Sequence, residues 1–317
     1  MLELKQLTKV YGETTVVKSL DLQLKRGEVF GFVGANGAGK TTTMKMVAGL
    51  IEPTSGSITL NGDDLLGERS LLNKMIGYMP DFFGVYDNLK VMEYMEFYAS
   101  LYGIYGKEAK TKIFELLELV QLKEKENDYV DYLSRGMKQR LCLARSLVHD
   151  PQILILDEPA SGLDPGARIE LKEIIKSLKA LDKTIMISSH ILLELSQICT
   201  TVGIMKQGEM VLVGEMDEVL TKSKERSLLK IMTYTGREKA IEILKSEKRV
   251  ESISIIDECF HVKFSGDEEA EAHLLKKLIQ EDVLVSSFSK EKYDLEDIFI
   301  EITQKGVKLD ENESHFT

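Results

Sequence analysis

The sequence predicts an α/β protein with a large domain built on a mostly parallel sheet and a smaller α+β domain after it. Short apolar segments alternate with amphipathic helical segments over most of the 317 residues, and this alternation is typical of a parallel sheet. A glycine-rich turn joins one of the apolar segments to a helical one. Near the C-terminus the order changes to strand, helix, strand, strand, helix and strand, which indicates a second domain.

The N-terminal segments predict antiparallel strands followed by a buried strand and a helix. Apolar and polar residues alternate in LELKQLTKVYG and in TVVKSLDLQLKRG, which predicts an antiparallel pair. A short apolar run, EVFGFVG, is typical of a buried strand, and the next helix runs through KTTTMKMVAGL. Further strands are predicted in SGSITLNG and KMIGYMP.

A helical insertion is predicted over about residues 85–150. Its two amphipathic helices, NLKVMEYMEFYASLYG and GKEAKTKIFELLELVQL, lie before residue 133 and carry apolar residues three and four apart. After the insertion, strands are predicted in QILILD and KTIMIS. Helices are predicted in GARIELKEIIKSLKAL and ILLELSQICT. The segment VGIMKQGEMVLVG predicts a hairpin across Gln207-Gly208. These elements complete a first domain expected over residues 1–220.

A charged, irregular stretch, MDEVLTKSKERS, marks the boundary to a second domain expected over residues 225–317. Its predicted strands cover residues 230–235, 250–256, 259–265 and 283–289, and its predicted helices cover residues 237–247 and 267–280. This is the β-α-β-β-α-β order of a ferredoxin-like fold. A last helix is predicted in LEDIFIEITQ. We expect an accessory or regulatory role for this domain.

Composition and charge limit the classes of function. The net charge is −11, and residues 227–317 contribute −7 of it, with 13 Lys and Arg against 20 Asp and Glu. Proteins that bind nucleic-acid phosphates usually carry the opposite sign, so we expect no nucleic-acid partner. No apolar run reaches the length of about 18 residues that a membrane helix needs, and the N-terminus lacks a signal-peptide pattern. We therefore expect a cytoplasmic protein.

The strongest motif is GANGAGKTT, which predicts a phosphate-binding loop. Its spacing fits G-x-x-x-x-G-K-[ST], and it follows a predicted strand and opens a predicted helix. Backbone N–H groups of such a loop surround phosphates, the lysine reaches the β- and γ-phosphates, and the hydroxyl binds Mg²⁺. A chance glycine turn is the alternative, which this context disfavours. The predicted nucleotide-binding residues here are Gly34, Ala35, Asn36, Gly37, Ala38, Gly39, Lys40, Thr41 and Thr42.

Two carboxylates and a histidine follow apolar strands, at the edge where parallel sheets bind ligands. In ILILDEP, Asp157 is suited to bind Mg²⁺, and Glu158 is suited to polarise an attacking water as general base. In MISSHILLEL, His190 is a candidate to contact the γ-phosphate. The alternatives are carboxylates that cap the next helix and a histidine that caps a helix or lies in the core. A neighbouring phosphate loop favours the catalytic interpretation of the carboxylates.

A second anion-binding segment is predicted in LSRGMKQR, residues 133–140. Ser134 can cap a helix and bind an anion, and the N–H of Gly136 can point at an oxyanion. An ordinary capped helix is the alternative, and for this fragment alone it is the commoner one. A second anion site is explained if it serves a nucleotide on another copy of the domain.

Together these motifs resemble the ATP-binding subunit of an ABC (ATP-binding cassette) transporter. Six elements occur in the order that the family has: Tyr11, the phosphate loop, YMPD, LSRGMKQR, LILDEP with SGLD, and His190. The resemblance covers roughly residues 1–220. It implies a P-loop NTPase of ABC type, with a mixed sheet core, an antiparallel β subdomain and a helical insertion, followed by the small α+β ferredoxin-like domain.

The resemblance implies an ATPase that uses ATP and Mg²⁺ to drive a membrane transporter. Two subunits would close head to tail around two ATP molecules, so the partners expected are an integral-membrane permease and a second copy or a related ATPase subunit. The protein would then lie at the inner face of the cell membrane. The implied roles are catalysis for Lys40, Glu158 and His190, adenine stacking for Tyr11, Mg²⁺ binding for Thr41, Asp157 and Asp81, and contact with the neighbour's nucleotide for Ser134, Gly136 and Asp164.

Two departures from the family pattern concern these segments. Asp81 stands where the family usually has glutamine, and Arg135 and Met137 replace a glycine and a glutamine of L-S-G-G-Q. Because the phosphate-loop lysine and the catalytic carboxylates are present, we interpret the changes as subfamily variation. The C-terminal YDLEDIFIEITQ resembles the extension of ATPase subunits from exporters of drugs, antibiotics or lipids, which favours export over import.

Two other functions remain open from the sequence. One is a soluble ABC-type ATPase that acts on ribosomes or DNA without a membrane partner, although the chain has a single phosphate loop and no sustained heptad pattern. The other is a regulatory protein that binds ATP without turnover, which the presence of Glu158 disfavours.

Overall fold

The computed structural model describes residues 1–67, 69–81, 84, 88–219, 226–256 and 258–292. The chain divides into two compact units, Met1–Glu215 and Met216–Thr317. Among the described residues, no helix combines the length and apolarity that crossing a bilayer requires.

The first unit contains ten strands and seven α-helices within the described residues. Its strands are β1 (Leu2–Tyr11), β2 (Thr14–Leu24), β3 (Val29–Val33), β4 (Ser55–Leu60), β5 (Asp63–Asp64), β6 (Ile76–Met79), β7 (Ile153–Leu156), β8 (Thr184–Ser189), β9 (Thr201–Lys206) and β10 (Glu209–Glu215). Its helices are α1 (Lys40–Val47), α2 (Arg69–Met75), α3 (Val91–Leu101), α4 (Gly106–Leu119), α5 (Arg135–Leu147), α6 (Pro165–Ala180) and α7 (Leu192–Leu195).

A mixed sheet of six strands forms the centre of this unit, as predicted. Its strand order is β10-β9-β3-β8-β7-β6. All neighbours are parallel except β9 and β10, which form the hairpin across Gln207-Gly208. Because β3, β6, β7 and β8 run in the same direction, their C-terminal ends meet at one edge of the sheet. The segments that follow these strands carry the phosphate loop, Asp81, Asp157 and His190.

An antiparallel sheet of order β2-β1-β4-β5 packs against the central sheet, which confirms the predicted antiparallel subdomain. Alternation along β1 turns Leu2 and Leu4 into a shared core, and a register shift between Leu4 and Leu7 turns Leu7 into the same core. Phe32 and Met44 bring β3 and α1 into the same core. Complete burial of each such side chain contributes about 1.5–3 kcal/mol, which fixes the helix that begins at the phosphate loop.

Arg145 of α5 joins this helix to α3. The guanidinium of Arg145 donates to the hydroxyl oxygens of Tyr94 (3.2 Å) and Tyr98 (3.4 Å) and to the Sγ atom of Cys142 (3.1 Å). It also lies 4.9 Å from the centroid of the Tyr98 ring. Both tyrosines belong to α3, so this cluster joins the insertion to the helix that follows Ser134.

One helix is shorter than predicted. The sequence ILLELSQICT predicts a helix, but α7 covers only Leu192–Leu195. The chain turns after it, and the N–H and hydroxyl groups of Thr200 donate to the carbonyl oxygen of Val29 (2.8 and 3.1 Å). These bonds bring the chain to the edge of β3 and start β9, which explains why the helix ends early.

The second unit has the predicted ferredoxin-like order. Its elements are β11 (Arg226–Thr235), α8 (Arg237–Ser246), β12 (Val250–Ile256), β13 (Cys259–Ser265), α9 (Glu268–Gln280) and β14 (Leu284–Lys292). The sheet order is β12-β13-β11-β14, and every pair is antiparallel. Phe260, Val262 and Phe264 of β13 face the buried side chains of both helices. The predicted helix LEDIFIEITQ lies outside the described residues.

A histidine connects the helical insertion to the central sheet. The ring of His149 stacks on Tyr102 at the end of α3, with centroids 4.1 Å apart and an interplanar angle of 7°. Its Nε2 lies 3.1 Å from the carbonyl oxygen of Ile76, so Nε2 carries the proton in the neutral ring. Burial is the main cause that lowers the pKa of His149 below its ordinary value.

We expect His149 to make folding stability depend on pH. Because its pKa is lower in the folded than in the unfolded chain, the unfolded state takes up the proton first as the pH falls. The stabilisation is complete above the unfolded pKa of about 6.5 and is lost below it. Lowering the pH from about 7.5 to about 5.5 should therefore reduce the free energy of unfolding more in wild type than in His149→Gln.

Urea unfolding at both pH values checks this. Gln can still donate to Ile76, and the loss of stability of the variant at the higher pH measures the missing stacking. An equal pH-dependent loss in both proteins would contradict the assignment.

Candidate active site

The phosphate loop links β3 to α1 in a conformation that needs glycine. Gly37 and Gly39 have φ angles of 81° and 109°, which favour glycine. A Cβ atom on Gly34 would lie 2.5 Å from the carbonyl oxygen of Met205. Helix α1 begins directly after Gly39, and the first N–H groups of a helix have no partner within it. The loop therefore presents backbone donors and the positive end of a helix dipole to an anion.

Lys40 places a buried ammonium group beside this loop. Its side chain is about 5% exposed, and Nζ donates to the carbonyl oxygens of Gly34 (2.6 Å) and Ala35 (3.3 Å). The Oε1 atom of Glu158 lies 3.7 Å from this ammonium group. Because a buried cation is costly without anionic partners, this arrangement favours the binding of phosphate.

Asp157 is the most buried carboxylate of the site and joins three elements. It follows β7 and is 0% exposed. Its oxygens accept hydrogen bonds from Thr41 Oγ1 (3.1 Å), Ser188 Oγ (2.8 Å) and the hydroxyl of Tyr78 (3.5 Å). Burial and then the negative charge of Asp157 raise the pKa of Tyr78, so Tyr78 stays a neutral donor. The structure thus brings Thr41 and Asp157, both predicted metal ligands, into contact.

Glu158 has a left-handed backbone, with a φ angle of 48°. Such a conformation costs about 1–3 kcal/mol for a residue other than glycine. Its N–H donates to Ser188 Oγ (2.8 Å), and its Oε2 lies 2.8 Å from Nδ1 of His190. The carboxylate therefore lies between the imidazole of His190 and the ammonium of Lys40. The three predicted catalytic residues meet in one place.

Asp81 lies in the same electrostatic region. Partial burial is the first cause that raises its pKa, followed by the negative charges of Asp157 and Glu158. The positive charges of Arg135 and His190 act in the opposite direction. Asp81 follows β6, and Asp157 and Glu158 follow β7, so the carboxylates after two neighbouring strands form one negatively charged region.

The donor set fits an Mg²⁺ ion that keeps other ligands. Within the described residues, no group of three or more His, Cys, Asp or Glu side chains forms a complete metal site. A hydroxyl and a buried carboxylate, from Thr41 and Asp157, lie within 3.1 Å of each other. Mg²⁺ typically takes one or two protein carboxylates and completes its shell with water and substrate phosphates.

Ser134 and Asp164 are helix caps in the single chain. Ser134 Oγ accepts from the N–H of Met137 at the start of α5 (3.3 Å), and Asp164 Oδ1 accepts from the N–H of Ala167 at the start of α6 (3.0 Å). A Cβ atom on Gly136 would lie 2.8 Å from Cβ of Ala167. Packing and capping therefore account for these residues within one subunit, and their contact with a neighbour's nucleotide stays a prediction.

Tyr11 ends β1 with its side chain exposed. Its relative accessibility is 48%, and the Nζ atom of Lys9 lies 4.9 Å from the ring centroid. An accessible aromatic ring is suited to stacking, and the role of Tyr11 under adenine stays a prediction.

Two residues of the site were not predicted from the sequence. Ser188 bridges Asp157 and Glu158, and Tyr78 donates to Asp157. A signal for Ser188 exists, because it lies in the strand that ends just before His190. Tyr78 lies inside β6, and the sequence alone does not show that its hydroxyl reaches the end of β7.

Comparison with known proteins places the chain in a family. Residues 17–161 match the family model described as ABC transporter. The linearmycin resistance ATP-binding protein LnrL of Bacillus subtilis is 30% identical over 97% of this chain and 100% of the relative. The chain belongs to the ABC transporter ATP-binding proteins. It is therefore an ATP-binding subunit with ATPase activity.

Other relatives share the cassette of this ABC ATPase. The Nod factor export ATP-binding protein I of Cupriavidus pinatubonensis is 37% identical over 69% of this chain and 68% of the relative. The solved dimeric structure of the ATP-binding cassette MJ0796 in a post-hydrolysis state, bound to ADP and Pi, is 25% identical. That similarity covers 68% of this chain and 99% of the other, with a TM-score of 0.62.

We expect Ser188→Ala to weaken both the fold and the ATPase reaction. The substitution removes a donor from the buried carboxylate of Asp157 and an acceptor from the N–H of Glu158. Leaving such groups unpaired costs about 1–3 kcal/mol. Urea unfolding should show this loss, and kcat should fall because Glu158 loses its backbone anchor.

A matched control is Ser177→Ala. The Ser177 hydroxyl is exposed and donates only within α6, to the carbonyl oxygen of Glu173 (3.0 Å). If both alanine variants behaved alike in stability and kcat, the bridging role of Ser188 would be wrong.

Proposed function

We propose that this ABC ATPase energises an exporter by ATP-driven closure of a head-to-tail dimer. The observation that carries the proposal is the position of the Glu158 carboxylate between Lys40 and His190, beside the phosphate loop. Export is supported by the names of LnrL, a linearmycin resistance protein, and of the Nod factor export protein.

The proposed nucleotide site uses the backbone of residues 34–42, the ammonium of Lys40 and the ring of Tyr11. Thr41 and Asp157 would bind Mg²⁺, with Asp81 as a further ligand. When bound, the ion supplies charge neutralisation at the β- and γ-phosphate oxygens. Support for this assignment comes from the contact between Thr41 and the buried Asp157.

Glu158 is the proposed general base. Its carboxylate accepts a proton from the attacking water, and His190 orients that carboxylate through the 2.8 Å contact. Lys40 stabilises negative charge on the transferred phosphoryl group. The bond from the Glu158 N–H to Ser188 keeps the backbone in place while the side chain acts.

The proposed dimer places α5 of each subunit over the nucleotide of the other. Ser134 and Gly136 lie at the helix N-terminus, where anions bind favourably, and Asp164 lies at the start of α6. The dimeric structure of MJ0796 supports an assembly of two cassettes. The neighbour is a second copy of this chain or a related ATPase subunit.

The further partner is an integral-membrane permease, which would hold the protein at the cytoplasmic face of the membrane. We propose residues 1–220 as the ABC domain and residues 225–317 as an accessory or regulatory domain. The separation of two compact units near residue 215 supports this division.

We expect Glu158→Gln to reduce kcat by a factor of about 10²–10⁴, the usual contribution of a general base. Binding of ATP should persist, because the phosphate loop and Lys40 are unchanged. A phosphate-release assay and a fluorescent ATP analogue measure the two properties. Glu115→Gln, an exposed site on α4, is the matched control. Wild-type turnover by Glu158→Gln would disprove the general-base role.

We expect the tagged protein, purified from detergent-solubilised membranes, to bring a stoichiometric multi-span protein with it. Mass spectrometry identifies what is recovered, and an untagged strain is the control. Recovery of ribosomes or DNA-repair proteins, or of nothing while the protein is wholly soluble, would favour a soluble ABC-type ATPase.

A further inference from the structure

Helix α5 contacts the segment that carries the proposed general base. Residues 158–164 connect β7 to α6, and we call them the 158–164 loop. Arg135 and Gln139 lie four positions apart on α5, so their side chains share one face of the helix. Both side chains point to this loop.

Two backbone carbonyl groups of the loop accept hydrogen bonds from these side chains. Arg135 Nη2 donates to the oxygen of Ser161 (3.1 Å), and Gln139 Nε2 donates to the oxygen of Pro159. Gln139 is only 2% exposed, so its bond lies in the protein interior. Donation from a charged guanidinium makes the bond from Arg135 the stronger type.

The loop has a backbone that requires outside support. Glu158 has a strained left-handed φ angle of 48°, and Gly162 has a φ angle of 67°, which glycine adopts without strain. The guanidinium of Arg135 covers Gly162, because a Cβ atom there would lie 2.5 Å from Cζ of Arg135. A strained conformation persists only when its surroundings determine it, and Arg135 supplies part of those surroundings.

We infer that Arg135, assisted by Gln139, is a positioning residue that clamps the 158–164 loop to α5 and so fixes the carboxylate of Glu158. The inference deepens the proposed function and rests on it. A glycine at position 135, as in L-S-G-G-Q, could not make this contact. The clamp is therefore a property of this chain's own sequence.

The clamp also connects two nucleotide sites. Ser134 and Gly136, which flank Arg135, would contact the ATP held by the neighbouring subunit. Arg135 therefore joins the segment that would contact that ATP to the loop that begins at Glu158.

A double-mutant cycle tests whether Arg135 acts through Glu158. Arg135→Ala should lower kcat by about tenfold, the effect of losing one charge-assisted hydrogen bond, with KM for ATP nearly unchanged. In the Glu158→Gln background the same substitution should lower the residual single-turnover rate by less than about twofold. Equal losses in both backgrounds would overturn the inference, since Arg135 would then act independently of the base.

Lys138→Ala is the matched control for charge. Lys138 lies on the same helix, and its Nζ atom lies 3.7 Å from Oδ1 of Asp131. Its removal should leave kcat close to wild type. A tenfold loss in this variant as well would indicate a general effect of positive charge on α5 and would also overturn the clamp.

Amide hydrogen exchange of the full-length protein gives a readout independent of turnover. The N–H groups of Ser161 and Leu163 close turns within the loop, on the oxygens of Glu158 and Ala160. Their exchange should accelerate in Arg135→Ala and not in Lys138→Ala, and unchanged exchange would contradict the clamp. If Glu158→Gln kept full activity, the general-base proposal would fail, while this measurement would still decide about Arg135.

Discussion

The buried carboxylate of Asp157 is the constraint on which the rest of the site depends. A buried anion is costly unless hydrogen bonds compensate it, and here its partners are Thr41, Ser188 and Tyr78. These donors come from α1, β8 and β6, so one charge fixes three elements relative to β7. The apolar core brings the strands together, and hydrogen bonds must link their ends. The carboxylate does this at the edge where the phosphate loop begins.

The next residue, Glu158, is the proposed general base at this edge of the sheet. Glu158 leaves the strand in a left-handed conformation that turns its carboxylate towards Lys40 and His190. Ser188 holds both residues, because its hydroxyl donates to Asp157 and accepts from the N–H of Glu158. The same hydroxyl therefore serves the buried anion and the strained backbone. Folding stability and the position of the proposed general base thus both depend on one side chain.

The sequence predicted those parts of the protein that local patterns encode. Alternation and apolar runs located the central sheet, the antiparallel sheet and the ferredoxin-like sheet, and the glycine spacing located the phosphate loop. Ser188, Tyr78 and the contact of Arg135 with Ser161 escaped prediction, because they depend on which side chains meet across elements far apart in the chain. The short helix α7 escaped it because hydrogen bonds from Thr200 to Val29 override local helical periodicity. Tertiary contacts decided these points, and local propensity did not.

The close packing of α5 and α6 is enough to explain why the LSRG segment has a glycine at position 136. Only a hydrogen atom fits at position 136, because a Cβ atom there would lie 2.8 Å from Ala167. A descendant chain that lost its neighbour and its nucleotide would still keep this glycine to keep its helices packed. The glycine of an L-S-x-G segment therefore indicates that two helices pack closely, and it does not by itself indicate that the chain hydrolyses ATP. Helix packing does not require a glycine at position 135, so the residue there can differ between chains according to function.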